Sequence, residues 1–172
     1  FSFLTFFFAR IIKFMKLGTA SAFFTKLSAR RKESTLIGFY GVFLALISIV
    51  VMAFIPISIF LGANEILWPD QLHLYVYTAA GFSLLSMFSK VIHDTNDALG
   101  LTVRNEFVFI TQNIFLTGMT LYYFMTDRLD LNRYFVIHYS MQLYLIVFGA
   151  MVIVVYGRYR VREMFSLTRR HV

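Results

Sequence analysis

The stretch STLIGFYGVFLALISIVVMAFIPISIFLGAN, residues 34–64, holds 31 positions without a charged side chain. A helix rises about 1.5 Å per residue and a hydrocarbon core is about 30 Å thick, so roughly 20 apolar residues cross it. The stretch exceeds that length. Backbone N–H and C=O groups find no partners in lipid, so a span is either a helix or part of a closed barrel. Residues 42–55 are apolar without period-two alternation, which excludes a barrel strand.

Three more charge-free gaps follow. Asp70 to Lys90 encloses 19 positions, Glu106 to Asp127 encloses 20, and Arg133 to Arg158 encloses 24. Together the gaps predict membrane-spanning helices at 36–60, 71–90, 107–126 and 134–157. Composition agrees. The chain of 172 residues is 59% hydrophobic and 15% charged, against about 45–50% and about 25% in soluble domains. A soluble two-domain protein, a disordered chain and a disulfide-stapled module are poor fits, the last because cysteine is absent. The expected fold is an all-α membrane protein, a four-transmembrane-helix bundle with an N-terminal amphipathic interfacial helix. Its expected divisions are a basic segment 1–33, the bundle 34–157 and a basic tail 158–172.

The short connections 64–70 and 127–133 predict antiparallel hairpins, while 91–106 reads as a longer polar link. Pro56 is expected to kink or stop the first span, with 57–63 running along the interface. Trp68 reads as an interfacial anchor. Tyr75, Tyr77, Tyr122, Tyr123, Tyr134 and Tyr139 gather near the outer helix ends as an aromatic belt.

Charge sets the orientation. Seven Lys/Arg lie in 1–33, two in 90–106 and five in 158–172, so fourteen of sixteen fall on one side. The two hairpin loops hold only Arg128 and Arg133. The positive-inside rule then places both termini in the cytosol or in the mitochondrial matrix.

The N-terminal segment alternates basic and apolar faces. Arg10, Lys13 and Lys16 oppose Phe7, Phe8, Ile11, Phe14 and Met15 over 3–17, and Gly18 reads as the end of that helix. Phe23, Phe24 and Leu27 with Lys26, Arg30, Arg31 and Lys32 repeat the pattern. The expectation is an in-plane helix whose seven cations bind anionic phospholipid such as cardiolipin, at about 1 kcal/mol per charge. The same cations also serve as the topogenic signal. A basic, acid-poor start resembles a mitochondrial targeting segment. Residue 1 is Phe rather than Met, which reads as a processed start or a fragment.

Catalytic signatures are missing: no GxxxxGK[ST], GxSxG, HExxH or CxxC occurs. No enzyme activity and no metal site are expected, and nucleic acid is not an expected partner. His73 and His138 fall near the outer ends of two spans, where a pair of neutral imidazoles would suit a b-type haem or a quinone. That is the alternative to interfacial histidines with local hydrogen bonds. His93, Asp94 and Asp97 read as a solvated helix end closed by Gly100. Their spacing resembles the helix ends of succinate dehydrogenase membrane anchors, but without the Arg–His–Asp arrangement of that family it implies no role. Arg104 and Glu106 read as interfacial. Thr111, Gln112, Asn113, Ser140 and Gln142 read as interhelical glue. Ala79, Ser83 and Ser86, and the pairs Gly38/Gly41 and Gly118/Gly149, read as sites of close helix approach.

The expected function is that of a structural, accessory subunit of a hetero-oligomeric membrane complex. A mitochondrial inner-membrane respiratory or ATP-synthase assembly with matrix termini fits best. The alternatives are a haem- or quinone-binding anchor using His73 and His138, and a lipid-binding or lipid-shaping protein of the endoplasmic reticulum or another endomembrane with cytosolic termini.

Overall fold

A computed structural model describes residues 2–30, 33–69, 71–128 and 130–156. Every regular element among them is helical: α1 (Ser2–Lys16), α2 (Thr19–Ala29), α3 (Ser34–Phe60), α4 (Asn64–Leu67), α5 (His73–Ala98), α6 (Thr102–Met125) and α7 (Leu131–Tyr156). Four of these, α3, α5, α6 and α7, are long and apolar enough to cross a membrane. The tail 158–172 lies outside the described residues.

Three connections close in the same way. Gly62 and Gly100 sit in the left-handed region after α3 and α5. The amide two places beyond each helix cap reaches back, from Ala63 to the Ser58 carbonyl and from Leu101 to the Asn96 carbonyl. This satisfies carbonyls that the helix end would leave bare. Asp127 takes the same place after α6, and Arg128 N–H reaches the Tyr123 carbonyl.

Two boundaries differ from the expectation. Pro56 does not stop the first span: α3 runs through it to Phe60. The second long helix does not end at Lys90 but runs to Ala98, so the link read over 91–106 shrinks to residues 99–101. Lys90, His93, Asp94 and Asp97 recur every three or four residues, which keeps them on the accessible side of one continuing helix. A charge marks where apolar sequence stops, not where helical hydrogen bonding stops.

The bundle is organised around α5, which packs against α1, α2, α3, α6 and α7. From α3 it meets a stripe of Tyr40, Leu44, Ile47, Val51 and Ile55, all buried at helical spacing. From α7 it meets Gly149, where an added Cβ would stand 2.6 Å from Ile92 Cγ2. Gly118, by contrast, faces open space.

The N-terminal helix is amphipathic as expected, and protein covers one stripe of it while Phe14, on the expected apolar face, stays exposed. Leu4, Phe8 and Ile12 are buried. Ser83 Oγ donates to the Thr5 carbonyl at 3.1 Å. Eleven residues further along each helix, Lys16 lies within electrostatic reach of Asp94. α1 and α5 therefore run side by side in the same direction. Trp68, expected as an exposed anchor, is buried under α1, with ring centroids 6.0 Å from Phe7 and 6.2 Å from both Phe8 and Phe54.

Phe8 is 0% exposed and Phe14, on the same helix, is 75% exposed. Phe8→Ala should cost about 3–5 kcal/mol and Phe14→Ala less than about 0.5 kcal/mol, read as unfolding midpoints in detergent. Gly149→Ala should cost about 1–3 kcal/mol by the same measurement, because Ile92 is branched at the contact and cannot swing clear.

Candidate functional site

At about 100° per residue, Ser86, Ser89, His93 and Asn96 fall within an arc of about 80° on α5. Ser83, Lys90 and Asp94 occupy the adjoining arc. The last turns of α5 thus show one polar stripe to α6 and α7 and a more charged one to α1 and α2.

Ser86, Ser89 and His93 of the first stripe line a cavity of about 340 Å³, with Asn105 and Phe109 of α6 and Gln142 of α7 on its other side. Asn96 holds the three helices together. Its Nδ2 donates to Asn105 Oδ1 at 3.2 Å and to the Gly149 carbonyl at 3.1 Å. Ser89 Oγ donates to Gln142 Oε1. His93 bridges the α5–α6 turn, with Nδ1 3.3 Å from Asp97 Oδ2 and Nε2 3.5 Å from Glu106 Oε1. Asn96 Oδ1, Asn105 Nδ2 and Gln112 Oε1 are buried without a partner. Among the described residues no group of three or more His, Asp or Glu is disposed to hold a metal ion.

The second stripe lines a cavity of about 760 Å³ beneath the α1–α2 turn, together with Lys13 and Lys16. Gly18, left-handed at φ 77°, makes that turn and opens α2. The Lys16 amine is held below its ordinary pKa, first by desolvation and then by Lys90, against an opposing pull from Asp94.

The seven basic residues expected to meet lipid are therefore not alike. Lys13 and Lys16 face the cavity. Arg10 is exposed and lies over the Phe6 ring at 4.6 Å. Lys26 is exposed on α2, and Arg30 pairs with Glu33 at 3.2 Å. Arg31 and Lys32 lie outside the described residues.

The histidine pair is not brought into contact. His73 is exposed in the first turn of α5. The His138 ring lies 4.2 Å from Tyr134 and 6.4 Å from Phe82, nine residues along α5 from His73. Beside it, Tyr139 O–H donates to the Thr78 carbonyl. Of the polar residues expected to join helices, Gln142 does so, while Thr111 and Ser140 bond within their own helices. Arg104 lies over the Tyr156 ring at 3.7 Å, tying the start of α6 to the end of α7.

Asn96 and Asn105 were not among the expected site residues. The signal for Asn96 was the three-four-three spacing from Ser86, which a search for ionisable groups passes over. No protein-family model, no curated protein and no solved structure matches this chain.

Asn96→Leu removes both donor contacts and strands Asn105 Oδ1, while the Gly149 carbonyl, inside α7, keeps its helical N–H partner. It should cost about 1–3 kcal/mol for the group left unpaired, measured as a loss of thermal midpoint in detergent.

Proposed function

We propose that this chain is a non-catalytic integral membrane subunit that supplies scaffold and lipid contacts to a larger assembly, a respiratory or ATP-synthase complex of the mitochondrial inner membrane. The observation that carries the reading is α6. Its two buried side chains are Asn105 and Gln112, both polar and seven residues apart on one face. Its outer surface exposes large apolar side chains, among them Phe107, Ile110, Ile114, Phe115, Leu121 and Phe124. A helix in water sorts the opposite way. Lipid, or the apolar flank of another subunit, is the surrounding that this helix fits.

The outer faces of α3 and α7 support the same reading. Phe39, Val42, Leu46, Ile49 and Val50 are uncovered on α3, as are Val136, Leu143, Val147 and Val155 on α7. Contiguous apolar surface of this extent marks membrane or partner contact. Most of the described chain lies in the four long helices, so a partner would be met through their faces. The fourteen-to-two distribution of basic residues supports matrix termini, and it supports anionic lipid of the cardiolipin class as a neighbour on that side.

Two measurements test this. Mild-detergent extraction followed by native electrophoresis should find the chain within a large complex; migration alone would remove the subunit role. The chain has no cysteine, so single substitutions report sidedness. In mitoplasts an impermeant maleimide should label Thr126→Cys and spare Ala29→Cys, and the reverse pattern would overturn the orientation.

A further inference from the structure

The cavity beneath the α1–α2 turn gathers charge from two distant parts of the chain. Lys13 and Lys16 come from α1, and Lys90 and Asp94 from α5. Three cations against one carboxylate leave a net charge of two positive. None of the three ammonium groups makes a hydrogen bond or ion pair with a described residue. Like charges held around one space repel, and an anion between them relieves that cost. The N-terminus of α2, at Gly18 and Ala20 on the same wall, adds partial positive charge.

The remaining wall is not that of a site for a free ion. Ile12, Phe24 and Met87 give it an apolar side that continues from the cationic one. A cavity of about 760 Å³ is also far larger than a phosphate needs. We propose that it seats the headgroup of an anionic phospholipid carrying two negative charges, of the diphosphatidylglycerol class. Lys13, Lys16 and Lys90 meet the phosphates, and the acyl chains leave along Ile12, Phe24 and Met87. The inference rests on the membrane reading above and narrows its lipid contact from a basic surface to one cavity. Lys90 belongs to the site, whereas Lys26 does not.

The surroundings of Lys16 supply an independent readout. With its folded pKa below the ordinary 10.5, the unfolded chain binds more protons between those two values. In the lipid-free state stability therefore rises with pH through that window. Removing the amine should not lower lipid-free stability, although it should weaken lipid binding.

The test uses the full chain, exchanged into lipid-free mild detergent and titrated with diphosphatidylglycerol, phosphatidylcholine or inorganic phosphate. Native mass spectrometry counts bound lipid, and thermal unfolding reads its effect. Diphosphatidylglycerol should bind saturably and raise the midpoint. Lys16→Gln and Lys90→Gln should each weaken binding about fivefold, with lipid-free midpoints at or above that of the parent. Lys26→Gln should leave binding unchanged. Unaltered binding in Lys16→Gln and Lys90→Gln would overturn the site. Equal weakening by Lys26→Gln would reduce it to a diffuse basic surface, and stabilisation by inorganic phosphate equal to that by the lipid would reassign it to a free anion. Release of the chain from membranes by alkaline carbonate would defeat the membrane reading itself, a result that lipid titration cannot mimic.

Discussion

The close approach of α1 to α5 is the contact on which the rest of the arrangement depends. Ala79, Ala80 and Ser83 give α5 a shallow surface, and all three are buried. Onto it α1 lowers Leu4, Phe8 and Ile12, while Ser83 bonds to the α1 backbone at Thr5. Trp68 packs beside the same stripe and touches both α1 and α3. With that register set, Lys13 and Lys16 come level with Lys90 and Asp94, and the larger cavity follows.

The other side of α5 obeys a different constraint. Asn96 shares its amide between α6 and α7, and Gly149 lets α7 come near enough for its carbonyl to be reached. Ser86, Lys90 and Asp94 line both cavities, so the end of α5 is a thin polar partition between them. A substitution there acts on two surfaces at once. α6 rests mainly on α7, and its two fully buried side chains are the amides Asn105 and Gln112.

Gaps between charges were enough to place four long helices, because a span must exclude charge over its whole length. The same rule set the end of α5 too early, since four polar residues at helical spacing continue the helix past Lys90. The division of the N-terminal segment was legible in outline: Gly18 marks the end of α1, and the repeated basic–apolar pattern marks α2. What covers the apolar stripe of α1 was not legible, because amphipathicity states that one face avoids water without naming what it meets instead. Trp68 was misjudged for the same reason. The cavity cations could not be grouped from the sequence, since Lys16 and Lys90 are neighbours only through packing. Asn96 was within reach of a periodicity argument, and so was its partner Asn105, seven residues before Gln112, although the charges of Arg104 and Glu106 beside it drew it into the interfacial reading.

The bond between Ser83 and Thr5 joins positions 78 residues apart. A ribosome adding about 5–20 residues per second needs about 4–16 s to cover that distance. For all of that time α1 exists and the α5 surface that seats it is incomplete. α1 is therefore made well before the helix that seats it, and its apolar stripe must wait against some other apolar surface. Lys13 and Lys16, which line the finished cavity, are unopposed by Lys90 and Asp94 during the wait, so assembly of this bundle runs in a different order from its synthesis.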